Sequence, residues 1–376
     1  MKLLIAPDSF KDALDARQVA GAIAQGVRDA RPDAAIELCP LGDGGEGTGR
    51  ILAAAARLER QRTIVLDPLG RRREASWWRS ADKHHAIVEM SEASGLWLLS
   101  ADQRDALRST SYGTGQLLSA AAKSGARDIT LCVGGSATVD GGAGCLQALG
   151  WTLIDAGGDV IDSPARGEML ARIASAPPPA KSFGAQITIL CDVDNPLLGS
   201  RGAAAVFAPQ KGASPGQVAM LETGLTVWRD VLLRETGRDV GSLARGGAAG
   251  GLPAGLHAAL DARLVSGIDE VLRSVDFQRK ASDADMILTG EGRLDEQTRG
   301  GKVVSGVVRV ARSLHKPVIA FVGEASAEMK SREALERFGL AELVPITPPG
   351  DSLEKALRET DANLVCAAQE SFSRSR

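Results

Sequence analysis

The stretch that decides the fold is residues 128–150, which have the sequence DITLCVGGSATVDGGAGCLQALG. A β-branched apolar run at 129–133 predicts a buried strand. A glycine-rich turn follows at 134–144, and residues 145–149 have helical character before a stop signal at Gly150. The order of strand, glycine-rich turn and helix is typical of α/β proteins.

The same turn is a candidate anion site. Backbone N–H groups in such a turn can point into one concavity, and a helix N-terminus adds partial positive charge. Tight packing of a helix on a strand also needs glycine, and this is the structural alternative. Asp140, further along the turn, could hold a cation or accept a proton. The residues expected to contact phosphate are Gly134, Gly135, Ser136, Ala137 and Thr138.

Composition limits the classes of function. The 376 residues suffice for two domains, and a net charge of −3 with 3% aromatic residues argues against a nucleic-acid partner. The five cysteines form no CxxC pair, and the four histidines have no metal-ligand spacing. No apolar run reaches membrane-spanning length, and the start of the chain lacks a signal peptide. We therefore expect a cytoplasmic protein without a membrane partner.

A second glycine-rich stretch offers a different function. Gly42, Gly44 and Gly47 form a GxGxxG pattern before a predicted helix, with an acid about 20 residues further on. This fits the dinucleotide fingerprint, so a NAD-dependent dehydrogenase is one alternative. However, Asp43 and Glu46 would repel a pyrophosphate unless a cation bridges them. The two acids fit better in a site that holds Mg²⁺ or the hydroxyl groups of a polyol.

Polar side chains also follow three other predicted strands, at 2–6, 186–191 and 284–289. In open α/β sheets, ligands bind at the carboxyl ends of the strands. The residues that follow these strands are Asp8, Ser9 and Lys11 after the first, Asp192 and Asp194 after the second, and Gly290, Glu291 and Arg293 after the third. Two acids at alternate positions lie on one face of an extended chain, so the second pair could share a cation or divide base and metal roles.

Strands and helices alternate cleanly at both ends of the chain, whereas the middle is more mixed. We predict an α/β fold of two α/β domains. Residues 1–66 and 285–376 would form a discontinuous Rossmann-like domain with a parallel sheet built from both chain ends. Residues 67–284 would form an inserted α/β domain that carries the central glycine-rich turn.

Several motifs, taken together, resemble those of the class I glycerate kinases, and they follow one another through almost the whole chain. They occupy residues 5–11 (IAPDSFK), 43–48 (DGGEGT), 110–115 (TSYGTG), 134–144, 191–197 (CDVDNPL), 209–213 (PQKGA), 247–252 and 289–295 (TGEGRLD). Val139 departs from the family's usual Ala-Thr-Asn-Asp-Gly-Gly pattern, which has Asn at that position. If that Asn contacts substrate, affinity or specificity differs in this chain.

The resemblance implies an enzyme, a glycerate 2-kinase that transfers phosphate from ATP to D-glycerate with Mg²⁺, giving 2-phosphoglycerate and ADP. It also implies a cleft between the two domains as the site of transfer. The partner would be a small-molecule substrate, and the chain would be a monomer or homodimer. The 2-position rests wholly on the resemblance. A non-catalytic sugar-acid sensor is the other alternative, with Val139 as the only hint of lost chemistry.

Phosphoryl transfer needs positioning and charge neutralisation more than covalent chemistry. The hypothesis therefore gives Asp192 the role of base, with Lys11 and Arg293 neutralising charge or binding the glycerate carboxylate. The turn at 134–138 would bind phosphate. The remaining assignments are Gly290 and Glu291 to the nucleotide, Asp8, Ser9, Asp43, Gly44, Gly45 and Glu46 to substrate, and Asp192 with Asp194 to the metal.

Overall fold

The structure is a computed structural model that describes residues 1–294, 302–326, 329 and 331–374. The motif residue Asp295 lies outside this part, and so do Gly300 and Gly301, which the sequence predicts to open a helix. The chain forms two compact units, Met1–Asp43 with Ser266–Arg376 and Gly44–Val265. Strands and helices are numbered along the chain.

The first unit is built on a parallel sheet, with strand order β13-β12-β11-β1-β2 in the described residues. Its strands are β1 (Lys2–Ile5), β2 (Ala35–Leu38), β11 (Met286–Leu294), β12 (Val318–Ala325) and β13 (Glu342–Pro345). Its helices are α1 (Ala16–Ala30), α9 (Gly267–Ser274), α10 (Phe277–Asp283), α11 (Val303–Ser313), α12 (Arg332–Phe338), α13 (Leu353–Arg358) and α14 (Thr360–Arg374). Both chain ends contribute strands, as predicted.

Helix α1 shows how local sequence sets an element in this unit. Asp15 caps its N-terminus by accepting hydrogen bonds from the amides of Arg17 and Gln18, and the Gln18 side chain accepts from the Asp15 amide. This capping box satisfies amides that the first helical turn leaves unpaired. Val19 and Ile23 lie one turn apart on the buried face, where α1 packs against α14.

The second unit contains a mixed sheet with strand order β10-β9-β6-β5-β4-β3 in the described residues. Its strands are β3 (Glu59–Leu66), β4 (Arg72–Arg79), β5 (His85–Glu89), β6 (Asp128–Cys132), β9 (Gln186–Leu190) and β10 (Arg263–Val265), and a small hairpin adds β7 (Ile154–Asp155) and β8 (Ile173–Ser175). Strands β3, β4 and β5 pair antiparallel, and the remaining neighbours pair parallel.

Helices cover this sheet, and several follow the predicted positions. They are α2 (Thr48–Ala55), α3 (Ser91–Ser94), α4 (Tyr112–Lys123), α5 (Ala143–Ala148), α6 (Ala203–Phe207), α7 (Pro215–Thr236) and α8 (Leu252–Leu260). The central stretch forms β6, a turn and α5, so the predicted strand, turn and helix are confirmed. Helix α7 begins at Pro215 with a Ser214–Gln217 capping box and ends at Thr236, with Gly237 as its C-cap.

The unit boundaries differ from the predicted domain boundaries at 66/67 and 284/285. Strand β3 was predicted to lie in the Rossmann-like domain, yet it pairs along its whole length with β4 of the second unit. Helices α9 and α10 were placed in the inserted domain, yet they belong to the first unit. The antiparallel pairing of β3 with the next strand depends on tertiary structure, which the hydrophobic periodicity of a single strand does not encode.

Two predicted elements also end differently. The sequence predicts one closing helix at 354–372, but this segment is divided into α13 and α14, with Glu359 between them. The strand predicted at 284–289 continues to Leu294 because β12 extends alongside it to Ala325. In the described residues, no helix is long and apolar enough to cross a membrane.

Candidate functional site

Three carboxylates of the first unit interact electrostatically, one after β1, one after β2 and one within β11. The Asp8 amide donates a 2.9 Å hydrogen bond to the carbonyl of Gly290, which brings Asp8 to the strand that carries Glu291. Burial raises the pKa of Asp8 well above its ordinary value, and the nearby charges of Asp43 and Glu291 raise it further. We call Asp8, Asp43 and Glu291 the acid group. Its mutual repulsion favours a bound cation or hydrogen-bond donors.

Gly290 and Glu291 do not follow the strand predicted at 284–289, and that part of the sequence prediction is wrong. Both lie within β11 and pair in register with Phe321 and Val322 of β12. A β-carbon on Gly290 would lie 2.5 Å from the carbonyl oxygen of Phe321. Glycine is therefore required at 290 by strand packing, and Glu291 belongs with the acid group.

The two basic residues predicted for catalysis are both on the surface of the first unit. Arg293 is 67% exposed, and its Nε lies 4.0 Å from a carboxylate oxygen of Glu324 on β12. Lys11 is exposed beside Asp12, which has a left-handed backbone conformation with φ of 63°. Both side chains are long, and their charged ends stay in water in the unliganded protein. They can therefore reach an anion when one binds.

In the second unit, the turn at 134–138 packs against the start of the 44–48 loop. The Gly134 amide donates a 3.0 Å hydrogen bond to the Gly44 carbonyl, and the Ala137 amide donates a 2.9 Å bond to Ser94. A β-carbon on Gly134 would lie 2.3 Å from the α-carbon of Gly45. The same turn therefore contains both the close packing that requires glycine and the candidate anion site.

Two further amides of the turn lie between these two hydrogen-bonded ones. The amides of Gly135 and Ser136 donate no hydrogen bond to any described residue. Gly135 is exposed and has a left-handed φ of 71°, a conformation that lets successive N–H groups converge on an anion. Glu46 is also nearby, with Oε2 3.5 Å from the position of a β-carbon on Gly135.

Lys211 lies beneath this turn. It is only 2% exposed, and its Nζ donates hydrogen bonds of 2.8 Å to Ser136 Oγ and to the carbonyl of Thr138. Burial lowers the pKa of Lys211 to about 7, although the negative charge of Asp140 opposes that change. The sequence places Lys211 in the PQKGA motif but indicates no role for it, because 75 positions separate it from Ser136.

Asp140 fixes the end of the turn. Its carboxylate accepts hydrogen bonds from the Ser111 amide at 2.8 Å, from Ser111 Oγ at 2.7 Å and from the Gly142 amide at 3.1 Å. Burial nevertheless raises the pKa of this carboxyl. Asp140 therefore ties the turn to the start of α4. The neighbouring Val139 is fully buried in the hydrophobic core of the unit.

A second buried acid was not singled out from the sequence. Glu89, at the end of β5, accepts a 2.9 Å hydrogen bond from the amide of Gly49 in the first turn of α2. Burial raises the pKa of Glu89 to about 7, and the charge of Glu92 adds to this, while the amide bond opposes it. No side chain of the adjoining loop caps α2, so Glu89 stabilises its N-terminus from another strand.

Asp192 and Asp194 have different surroundings at the end of β9. Asp192 is partly buried, whereas the Asp194 side chain is 70% exposed and lies 3.4 Å from Nε of Arg245. Among the described residues, no group of three or more His, Cys, Asp or Glu side chains could hold a metal ion. Mg²⁺ commonly takes one or two carboxylates and completes its shell with water and substrate phosphates.

The glycine-rich turns, buried lysine and acid group occur in a chain whose sequence matches one family throughout. A profile of the glycerate kinase family matches residues 3–375. The chain belongs to the glycerate kinase family. A glycerate kinase from Halalkalibacterium halodurans is 40% identical over 98% of this chain and 96% of its own. The glycerate 2-kinase of Escherichia coli K12 is 39% identical, with the same coverage of both chains.

A solved structure agrees with this assignment. The crystal structure of a protein described as a glycerate kinase 2 from Salmonella typhimurium LT2 matches with a TM-score of 0.81. It is 40% identical and covers 100% of this glycerate kinase family chain and 98% of its own. The predicted α/β fold is thereby confirmed, and the chain is an enzyme of the kinase class.

Family membership does not favour either alternative function. The dehydrogenase fingerprint requires a strand, glycine turn, helix and second strand within one parallel sheet. In this glycerate kinase family chain, β2 belongs to the first unit, whereas α2 and β3 belong to the second. Strand β3 is also antiparallel to its neighbour. The GxGxxG pattern at 42–47 therefore lacks the supporting βαβ structure, and neither this alternative nor the sensor is retained.

Proposed function

We propose that the protein transfers the γ-phosphoryl group of ATP to the 2-hydroxyl of D-glycerate, giving 2-phosphoglycerate and ADP. The observation that carries this proposal is the turn at 134–138, with two amides directed to no described protein acceptor and a hydroxyl at Ser136. The relatives named glycerate kinase and glycerate 2-kinase supply the substrate and the position of transfer.

The turn at 134–138 binds phosphate oxygens of the nucleotide in this proposal. Its unengaged amides and the Ser136 hydroxyl are donors of the kind that stabilise charge on a transferring phosphoryl group. The family's nucleotide also requires a divalent cation, for which carboxylate oxygens are suitable ligands. When bound, Mg²⁺ would neutralise phosphate charge. Asp192 with Asp194, or members of the acid group, would hold it.

Asp192 is the proposed base in the transfer. It accepts the proton of the glycerate 2-hydroxyl, whose oxygen then forms a bond to the γ-phosphorus while the bond to the ADP oxygen breaks. In the first unit, the acid group and Ser9 are the proposed contacts of the glycerate hydroxyls. In the second unit, Gly44, Gly45 and Glu46 keep the substrate role that the sequence predicts. This revises the earlier assignment of Glu291, which now acts with Asp8 and Asp43.

Lys11 and Arg293 are the proposed ligands of negative charge. Both side chains are exposed, and the Nε of Arg293 lies 4.0 Å from a carboxylate oxygen of Glu324. A planar guanidinium can bind a carboxylate through two parallel hydrogen bonds. Arg293 would therefore bind the glycerate carboxylate, and Lys11 would neutralise charge on the phosphates.

The test is an assay with ATP, Mg²⁺ and D-glycerate, coupled to enolase without phosphoglycerate mutase. Only the 2-phospho product gives phosphoenolpyruvate, which the pyruvate kinase and lactate dehydrogenase couple reports as loss of NADH. ADP without phosphoenolpyruvate would keep the kinase and overturn the 2-position. No glycerate-dependent ADP would overturn the proposed function.

A further inference from the structure

The position of Lys211 is fixed by its backbone. It ends a short 3₁₀ turn at Pro209–Lys211, and its amide donates a 3.0 Å hydrogen bond to the Ala208 carbonyl. Gly212 follows with a left-handed φ of 90°, and a β-carbon there would lie 2.3 Å from the carbonyl oxygen of Arg104. The chain can turn there only with glycine, and this turn directs the lysine beneath the phosphate site.

The hydrogen bonds of Lys211 determine how Ser136 is used. In its charged form, the Lys211 side chain has three donors and no acceptor. Its contact with Ser136 Oγ at 2.8 Å is therefore a donation to the serine oxygen. The serine proton must point elsewhere, which leaves the hydroxyl as a donor. The second bond, to the Thr138 carbonyl at 2.8 Å, holds the ammonium group and the turn together.

Stability does not explain a lysine in this position. Burying an ammonium group is costly, and an apolar side chain of similar size would avoid the cost. The charge of Asp140 compensates only in part, since burial is the dominant influence on the Lys211 ammonium. A role at the adjoining turn would account for a cation there.

We propose that Lys211 is a positioning residue that orients the Ser136 hydroxyl towards a phosphoryl oxygen bound in the turn at 134–138. The inference deepens the proposed function and rests on it for the identity of the ligand, a nucleoside polyphosphate. Lys211 acts through Ser136 and through the Thr138 carbonyl. Its positive charge also polarises the serine O–H and strengthens the donated bond.

The experiment compares Lys211→Met, Ser136→Ala and the double variant with the wild-type chain. Calorimetry measures ADP affinity, thermal unfolding measures stability, and the coupled assay measures kcat and KM for ATP. Lys211→Met should retain or raise the melting temperature, because methionine fills a similar volume without a charge. Both single variants should lose about 10- to 100-fold in ADP affinity, the range for one charge-assisted hydrogen bond.

The double variant provides the readout that a merely structural lysine would not change. If both residues act through one contact to phosphate, the double variant should bind ADP no more than about twofold weaker than the weaker single variant. Independent, multiplicative losses would overturn the inference. Should Lys211→Met fail to fold, Ser136→Ala carries the test, since it removes the donor and leaves the Lys211–Thr138 bond. Normal ADP affinity in Ser136→Ala would then overturn the inference.

The inference and the proposed function can fail separately. Wild-type ADP binding that depends on both residues, without glycerate phosphorylation, would support the inference and reject the function. Glycerate phosphorylation with kcat/KM for ATP unchanged in Lys211→Met would reject the inference and keep the function. A phosphoryl group found covalently on Ser136 by mass spectrometry would also overturn it, because Lys211 would then serve a nucleophile.

Discussion

The amide nitrogen of Gly134 lies 3.0 Å from the carbonyl oxygen of Gly44 and donates a hydrogen bond to it. This bond joins the two glycine-rich stretches of the second unit. It is possible because neither Gly134 nor Gly45 carries a side chain at the point of contact.

Gly134→Ala should therefore disrupt the turn at 134–138. Its β-carbon would lie 2.3 Å from the α-carbon of Gly45, so backbone must move, at a cost of about 1–3 kcal/mol. We expect a lower melting temperature and weaker ADP binding, measured by thermal unfolding with and without ADP. Gly216→Ala in α7 is the control, since nothing lies within 4 Å of its added β-carbon. Unchanged ADP binding in Gly134→Ala would contradict the close approach.

The buried carboxylate of Glu89 should make stability depend on pH. Its pKa is raised from 4.5 to about 7, chiefly by burial, so the folded state binds the proton more tightly than the unfolded state. Stability from this group is complete below pH 4.5 and is lost as the pH rises to about 7. The loss is about 3 kcal/mol for a pKa difference of roughly 2.5.

Glu89→Gln tests this dependence while retaining an oxygen that can accept from the Gly49 amide. Relative to wild type, its free energy of unfolding should increase as the pH rises from 4.5 to 7, as measured by urea unfolding. Glu74→Gln, on the exposed face of β4, is the control and should show little of this trend. Parallel pH curves for Glu89→Gln and wild type would contradict the raised pKa.

Asp8→Asn should raise the stability of the first unit and lower the turnover of the enzyme. The amide oxygen can still accept from the Ser9 amide, which now bonds Asp8 Oδ1 at 2.7 Å, while one charge leaves the acid group. We expect higher stability at neutral pH, because the raised pKa of Asp8 shows that its ionised form is disfavoured there. Turnover should fall at least about tenfold. Unchanged turnover would remove Asp8 from the substrate or metal site.

The two acids after β9 allow a matched pair of variants to be compared. Asp192→Asn should lower turnover by about 10²–10⁴, the usual contribution of a general base. Asp194→Asn should stay within about threefold if its exposed ion pair with Arg245 is its main role, since such pairs contribute little. Equal losses in both variants would instead support a shared metal site. Unchanged unfolding curves would confirm that both variants fold.

Val139→Asn tests the departure from the family pattern. Val139 is fully buried in the hydrophobic core, so an amide there should cost about 2–4 kcal/mol unless it finds partners. We expect a lower melting temperature without tighter glycerate binding. Val139→Ala, which removes volume but adds no polar group, is the control. A gain in glycerate affinity in Val139→Asn would show that position 139 can reach the substrate.

The sequence predicted what depends on local pattern and missed what depends on contacts between distant residues. The run at 129–133 and the glycines after it were enough for β6 and its turn. Nothing near Lys211 indicates Ser136, and the partner of Glu89 lies 40 positions away. The extension of β11 to Leu294 depends on β12.

The central strand of the first unit, β11, pairs with β1 from a distant part of the sequence. Leu3 on β1 pairs with Met286 on β11, and the amide of Lys2 bonds a carboxylate oxygen of Asp285, 283 positions away. During synthesis the second unit, at 44–265, leaves the ribosome whole before β11 is made. Its contacts are closer in sequence, so it can fold first, whereas β1 must wait for the last third of the chain. The enzyme therefore gains its acid group only after β11 has been made, when the turn at 134–138 can already be formed.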